Sequence, residues 1–159
     1  PGLAFSPLVM GDGNAAYVDQ GADSAESNIY QGTTFNGTNV LLADGSTGNS
    51  ASVSQQAGGD NSRSDIFQGG DGNIASTTQN SLNGLSDVRQ NGDANQSYVD
   101  QQSGSDHKAR VEQYADNNLS SVIQNGTNNS ATVYQGSDGN YSGINQGGAN
   151  NVATVTQGN

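Results

Sequence analysis

The side chains that recur at a fixed spacing in this chain are amides, and the chemistry they offer is hydrogen bonding. A glutamine closes a seven-residue repeat about every eleven residues, and most repeats open with asparagine or serine, as in residues 129–135 and 151–157. A side-chain amide both donates and accepts, so identical amides stacked along an axis form repeating hydrogen bonds. This pattern predicts residues that organise a structure rather than residues that transform a substrate.

Catalytic and metal-binding patterns are missing from the sequence. His107 is the only histidine and the chain has no cysteine, so we interpret His107 as a substitute for the asparagine that usually opens a repeat. Residues 69–73 (Gly-Gly-Asp-Gly-Asn) are similar to a calcium-binding β-roll motif, but the motif does not recur and the period is eleven rather than nine. We expect no enzyme activity, no cofactor and no metal site.

The composition is unusual for a globular protein. Only 30% of the 159 residues are hydrophobic, 23 are glycine, and the net charge is -11. Such values are typical of disorder, so a monomer that orders only on assembly is one expectation. The acidic balance argues against nucleic-acid binding, and no apolar run approaches the ~20 residues of a membrane helix, so we expect no membrane embedding. A start at Pro1 without a basic segment indicates a mature, processed product.

The spacing of the repeat defines the elements that hold these amides. Its fixed positions are every second residue, which face one side of a β-strand. The connections are normally four residues of Gly, Asn, Asp and Ser, which suit tight turns. Thirteen repeats can be aligned, and we number them repeats 1–13. They close at Gln20, Gln31, Asp44, Gln55, Gln68, Gln79, Gln90, Gln101, Gln113, Gln124, Gln135, Gln146 and Gln157.

Hairpins or β-arches could both use this spacing, and we favour arches. An arch lays each strand opposite the next and stacks it on the next but one, which suits the small inward residues. The predicted fold is an all-β β-solenoid: two facing parallel sheets, about 6.5 coils of 22 residues, and an amyloid-like cross-β arrangement. Stacking repeat 7 on repeat 9 would bring Asp87 to Arg110 and Arg89 to Glu112, which a sequential meander would not do.

Two sets of inward residues are predicted to matter. The first is the set of fibre-stacking ladders: Asn14, Gln20, Gln31, Asn49, Gln55, Ser62, Gln68, Asn73, Gln79, Gln90, Asn95, Gln101, Gln113, Asn118, Gln124, Asn129, Gln135, Asn140, Gln146, Asn151 and Gln157. The second is a thin apolar core, with odd repeats in one sheet and even repeats in the other: Val18, Leu42, Ile66, Val88, Val111, Val133 and Val155 face Ile29, Val53, Val99, Val122 and Ile144.

The chain divides into an apolar segment, residues 1–13, and a repeat domain, residues 14–159. The segment could be a degenerate fourteenth strand, an arm over a neighbouring subunit, or a frayed terminus; Pro7 opposes the strand because it cannot donate to a ladder. Thirteen strands would rotate successive subunits by half a turn, whereas fourteen would not. The regular last repeat, 151–157, predicts an uncapped C-terminal edge.

These residues resemble curlin, the subunit of bacterial curli fibres, whose repeats follow Ser-x5-Gln-x4-Asn-x5-Gln. Residues 62–79 have this form, residues 118–135 have it with Asn in place of the opening Ser, and the likeness extends over residues 14–157. It implies a subunit that is secreted through an outer-membrane pore, is nucleated by a partner subunit, and polymerises into extracellular amyloid in a biofilm. The chain departs from the pattern where Asp44 closes a repeat and where other residues open one. Those openings are Ala25, Thr38, Gly84 and His107.

The function predicted from the sequence is therefore structural. We expect a secreted, extracellular subunit of a curli-like fibre that forms a homopolymer for matrix cohesion and adhesion. The departures leave open a nucleating minor subunit, and two further alternatives are a monomeric solenoid adhesin and an ice-binding solenoid. End caps would favour the adhesin, whereas a flat outward array of threonines would favour ice binding; the outward threonines here, such as Thr132 and Thr154, are few and scattered.

Overall fold

The structure, a computed structural model, describes residues 15–21, 26–31, 34–35, 41–42, 47–56 and 60–158. Strands and turns make up this part of the chain. The strands are β1 (Ala15–Gln20), β2 (Glu26–Gln31), β3 (Thr34–Phe35), β4 (Leu41–Leu42), β5 (Ser50–Gln55), β6 (Arg63–Gln68), β7 (Ile74–Gln79), β8 (Leu85–Gln90), β9 (Gln96–Ser105), β10 (Lys108–Gln113), β11 (Leu119–Thr127), β12 (Ser130–Gln135), β13 (Tyr141–Ala149) and β14 (Val152–Gln157).

Two parallel six-stranded sheets contain twelve of these strands. Sheet one has the order β1-β5-β7-β9-β11-β13, and sheet two has the order β2-β6-β8-β10-β12-β14. From β5 onward consecutive strands alternate between the sheets, so each strand pairs with the next but one. This is the β-arch arrangement, and the predicted β-solenoid of two parallel sheets is confirmed. Five steps separate the six strands of each sheet, which corresponds to about five turns.

The register keeps equivalent residues directly above one another. Gln113 pairs with Gln90 on one side and Gln135 on the other, and the same pairing places Arg110 beside Asp87 and Glu112 beside Arg89. The predicted stacking of repeat 7 on repeat 9, with opposite charges at neighbouring strand positions, is therefore confirmed. The side chains also bind within each strand, since Arg89 Nη2 lies 3.1 Å from Asp87 and Arg110 binds Glu112. The hydrogen bond to Glu112 raises the pKa of Arg110, and the negative charge of Asp87 acts in the same direction.

The core between the sheets is one side chain deep on each side. Val, Ile and Ala alternate along each strand with outward polar residues, as the strand period requires. The buried apolar residues are Ile29, Ala51, Val53, Ile66, Ala75, Val88, Val99, Ala109, Val111, Val122, Ala131, Val133 and Ile144. Thr77 replaces valine in this series, and its hydroxyl lies 3.1 Å from that of Ser86 in the opposite sheet. The polar columns described below must therefore provide much of the order.

The described residues of the third repeat, Leu41–Leu42, do not join the two parallel sheets, and the described stack has about five turns instead of the predicted 6.5 coils. Leu41–Leu42 pairs in antiparallel fashion with Thr34–Phe35, and repeat 4 follows β2 in the alternation between the sheets. Leu42 is thus outside the two parallel sheets in which the core was expected. The sequence supplies a reason: repeat 3 opens with Thr38 and closes with Asp44, so its ends lack the amides that the columns require.

Omitting repeat 3 reverses the sheets of the first two repeats. Val18 lies beside Val53 in sheet one, and Ile29 lies beside Ile66 in sheet two, whereas the odd and even assignment placed each in the other sheet. Val18 also differs from a core residue, because it is 43% exposed and β1 is the outermost of the described strands of sheet one. At the other end Val155 is half-buried for the same reason.

A residue with left-handed backbone angles precedes each repeat of the regular stack. From repeat 4 to repeat 13 the residue just before the opening position has φ between +54° and +70°. These residues are Gly48, Asn61, Gly72, Asn83, Ala94, Asp106, Asn117, Asn128, Gly139 and Asn150. Nine of them are Gly, Asn or Asp, which tolerate this conformation, so the turn composition follows from the backbone.

Ala94 is the exception among these residues. An L-residue without a polar side chain is strained at positive φ. We therefore expect Ala94→Asn to stabilise the stack by about 0.5–1 kcal/mol. Ala94 has φ 55°. The measurement is the urea midpoint for loss of the β-sheet circular dichroism signal. Asn117→Ala is the matched reverse change at φ 59°, and it should lower that midpoint by a similar amount. Equal midpoints in all three chains would contradict the argument.

Candidate assembly site: the amide columns

Two columns of glutamine run along the stack, one in each sheet. In sheet one each Nε2 donates to the Oε1 of the next glutamine, from Gln20 to Gln55 at 2.8 Å and onward through Gln79, Gln101 and Gln124 to Gln146. In sheet two the same bonds, all 2.9 Å, join Gln68, Gln90, Gln113, Gln135 and Gln157. The column glutamines from Gln55 to Gln135 are at most 1% exposed. Both columns donate in the same direction, towards β13 and β14.

Each column glutamine from Gln55 to Gln157 also ties the two sheets together. Its second Nε2 hydrogen is donated to the backbone oxygen of the first residue of the preceding strand, for example from Gln101 to Leu85 at 2.8 Å and from Gln113 to Gln96 at 2.9 Å. A carbonyl oxygen only accepts, so this bond requires the amide nitrogen, not the amide oxygen, to face it. The direction of the column is therefore set by the backbone and cannot be reversed by flipping the amides.

A second kind of column uses the asparagine that opens each repeat. In sheet one the Oδ1 of each asparagine accepts the backbone N–H of the next, through Asn49, Asn73, Asn95, Asn118 and Asn140, at 2.8–2.9 Å. In sheet two Asn129 and Asn151 are joined in the same way at 3.0 Å. The Nδ2 groups donate to turn carbonyls, as from Asn73 to Gly69, except that the buried Nδ2 of Asn95 has no partner within the described residues. These bonds hold a turn to its own strand and to the next coil.

Among the described residues, three replace asparagine at the opening positions of sheet two, and the column adapts to each. The Ser62 hydroxyl accepts the N–H of Gly84 at 2.9 Å and donates to Ser81 O. A side chain at Gly84 would collide with the amide oxygen of Gln101, so glycine fits there. His107 is fully buried in the inward position expected of it, with Nε2 3.0 Å from Ser103 O. Within the described ranges no group of three or more His, Cys, Asp or Glu could hold a metal ion.

Aspartates in the turns form a column that the sequence did not reveal. The carboxylate of Asp71 accepts the N–H of Thr47, that of Asp93 accepts the N–H of Asp71, and the series continues through Asp116 to Asp138 at 2.7–3.0 Å. In the sequence these residues were seen only as dispersed turn charges. They are spaced 22 or 23 residues apart, which is the length of one coil. This regular spacing was the signal that could have identified the column.

Three glycines at the ends of long strands allow the closest backbone approach in the described part of the fold. Gly104, Gly126 and Gly148 stack in sheet one with φ of 97°, 113° and 90°. A Cβ on Gly104 would lie 1.4 Å from Gly126 O, and one on Gly126 would lie 1.9 Å from Gly148 O. Neither position could hold a larger residue without moving the backbone.

The predicted ladder residues are thus found in four columns, with a few exceptions. Asn14 lies outside the described residues, as does the segment 1–13, and the side chain of Gln31 is likewise not described although its backbone lies in β2. At the β13–β14 end Gln146, Asn151 and Gln157 are in register with their columns but more exposed than the interior members. Sequence reasoning missed the bonds from glutamine to the opposite strand, because from Gln68 onward they join residues 16 to 18 apart in different sheets.

An all-β stack with directional amide columns defines the class of protein: a β-solenoid whose polar side chains, rather than a deep apolar core, determine the register. The family model described as curlin associated repeat matches residues 85–114, 109–136 and 126–158. Residues 85–158 therefore contain curlin associated repeats, which supports the resemblance to curlin. Neither a curated protein nor a solved structure matches it.

Proposed function

We propose that this protein is the structural subunit of an extracellular curli-like fibre and that it polymerises end to end. The observation that carries the proposal is the form of the last coil. Within the described part of the chain β13 and β14 each pair on one side only, and both glutamine columns reach this end. The curlin repeats in residues 85–158 support the same function.

Open strand edges give a physical reason for growth. An unpaired edge offers backbone N–H and C=O groups to another strand, and solenoids that remain monomeric cover such edges. A copy added at this end would extend both sheets and both glutamine columns. It would also cover apolar side chains that are partly exposed at the ends of the stack, such as Val18 and Val155. The energy for addition thus comes from the interactions that hold the interior together.

The biological role that follows is mechanical: cohesion of a biofilm matrix and adhesion to surfaces. By likeness to curlins, the partners would be further copies of the chain, a nucleating subunit and an outer-membrane secretion pore, and the fibre would lie outside the cell. In the described residues no helix is long and apolar enough to cross a membrane. The regular final repeats favour the main subunit over the nucleating one.

Electron cryomicroscopy of the purified chain at neutral pH tests the proposal. We expect fibres with a layer spacing of ~4.8 Å and a subunit repeat near 29 Å, because six layers at that spacing make one copy. The 31 Å repeat expected from 6.5 coils is replaced by this shorter value. Compact monomers that persist at high concentration would contradict the proposal and favour a monomeric adhesin; freezing-point hysteresis would favour ice binding.

A further inference from the structure

Two tyrosine rings are in contact on the outside of sheet two. Tyr114 directly follows β10, and Tyr134 lies in β12, the neighbouring strand of that sheet. Their ring centroids are 5.6 Å apart, within the range that aromatic pairs prefer, and the ring planes are tilted by 46°. The two residues are 43% and 37% exposed. The stacking register, which places Gln113 beside Gln135, thus brings the two phenols together and leaves both open to reagents in solution.

A glycine makes room for this contact. Gly136 directly follows Gln135, so it occupies, one coil further on, the position that Tyr114 has after Gln113. A Cβ on Gly136 would lie 2.9 Å from Cε1 of Tyr134 and 3.2 Å from its hydroxyl oxygen. A larger residue at position 136 would therefore have to displace the Tyr134 ring. With glycine there, the ring can lie beside that of Tyr114.

A carboxylate lies next to both phenols. Oε1 of Glu112 is 3.4 Å from the Tyr114 hydroxyl oxygen, and Glu112 is the residue of β10 that pairs in register with Tyr134. Burial raises the pKa of the Tyr114 phenol, and the negative charge of Glu112 acts in the same direction, so this phenol keeps its proton at neutral pH. A phenol that loses an electron must also release that proton, and a carboxylate within reach can accept it. The pair therefore combines ring contact, access to solvent and a local base.

We propose that Tyr114 and Tyr134 are a modification site at which an oxidant of the haem-peroxidase class, with hydrogen peroxide, forms a tyrosine–tyrosine cross-link. Each phenol loses one electron and its hydroxyl proton. The two radicals then form a bond between the ring carbons next to the hydroxyl-bearing carbons, and the hydrogen on each joined carbon moves as a proton to oxygen, which restores two phenols. Hydrogen peroxide takes up the two electrons and two protons and becomes two molecules of water.

The product is a carbon–carbon bond between two adjacent layers of sheet two. It lies within one copy of the chain, so it does not depend on polymerisation. Other tyrosines have different neighbours: Tyr98 pairs in register with Ser76 and Ser121, and Tyr141 pairs with Leu119. Two phenoxyl radicals couple only where they meet, so the pair already in contact should give the main product.

Mass spectrometry of the oxidised chain tests the site. The full chain, mixed with an equal amount of the same chain labelled with ¹⁵N, is treated with a haem peroxidase and hydrogen peroxide, denatured, and cleaved before its aspartates. Cleavage before Asp116 and Asp138 puts Tyr114 in residues 106–115 and Tyr134 in residues 116–137. We expect these two peptides to be joined, with the loss of two hydrogen atoms, and to show dityrosine fluorescence. Both peptides of each joined pair should be labelled or both unlabelled.

Two variants that each remove one phenol provide the control. Tyr134→Phe should lower the yield of dityrosine about tenfold or more, because it removes the pair held in contact, whereas Tyr98→Phe should leave the yield near that of the parent chain. Equal yields in the two variants would overturn the proposal. So would joined peptides of which one is labelled and the other is not, because they would place the cross-link between copies.

The stability of the oxidised chain is a second measurement. A bond between residues 114 and 134 closes a loop in the unfolded chain and lowers its entropy, as other cross-links do. Oxidation should therefore raise the urea midpoint of the parent chain and leave that of Tyr134→Phe unchanged. The same rise in both chains would show that another modification is responsible and would overturn the assignment.

Discussion

Gln101→Glu should destabilise the stack by about 3 kcal/mol or more, because it places a charge and removes two donors at a fully buried site. The native amide donates to Leu85 O at 2.8 Å and to Gln124 Oε1 at 3.1 Å. A carboxylate would oppose both oxygens without a hydrogen to give. The measurement is the urea midpoint of the β-sheet circular dichroism signal, or the soluble concentration in equilibrium with fibres.

The neighbouring residue provides a control of the same type. Gln102 is exposed and donates to Asp100 Oδ2 at 2.8 Å, so Gln102→Glu should cost less than about 1 kcal/mol. Burial should raise the pKa of the carboxyl introduced at position 101 above its ordinary ~4.3, so its cost should shrink as the pH falls through that raised pKa. The protonated form can again donate one hydrogen bond. Equal losses at positions 101 and 102 would refute the role of the column.

Gly104→Ala should be comparably damaging, at about 3 kcal/mol or more, for a steric reason. The added Cβ would lie 1.4 Å from Gly126 O, and φ is 97°, so the backbone of two coils must separate. Separation would also weaken the sheet-one pairing of β9 with β11. The midpoint of urea unfolding reports the loss, and fibres of this variant should form more slowly.

Gly139→Ala separates crowding from backbone strain. Gly139 also has a positive φ, 70°, but nothing lies within 4 Å of the position that a Cβ would occupy. Its replacement should therefore cost only about 1–2 kcal/mol, the penalty of a left-handed L-residue. If both variants lost the same stability, close approach in the glycine column would not be the cause.

The sequence predicted the regular part of this fold because its repeat encodes register directly. From repeat 4 onward the pairings follow the glutamines, and the pairing of Arg110 with Asp87 was foreseen from their positions alone. The wrong predictions fall where the sequence departs from the repeat pattern. Asp44 was aligned as a closing residue because the spacing allowed it. Unlike glutamine, however, an aspartate side chain has no N–H to donate to a carbonyl oxygen of the opposite strand.

Features that depend on the exact position of the backbone also could not be predicted from the sequence. Ala94 reads as an ordinary turn residue, and only its φ of 55° shows that every coil requires a left-handed position there. The bond from Gln101 to Leu85 O joins the two sheets. Any residue can supply the accepting backbone carbonyl, so this bond produces no repeating residue type in the sequence. The aspartate column needed the structure to reveal that each carboxylate accepts an N–H from the adjacent coil.

The direction of the hydrogen bonds has a consequence for mechanical load. The backbone bonds between strands and the amide bonds of the glutamine columns both run along the stack, so a pull on its two ends stretches all bonds of a cross-section together. A hairpin pulled apart from one end breaks its bonds in succession, each at low force. Here rupture must break one whole layer at once, so tensile strength depends on the weakest layer and not on the length of the stack.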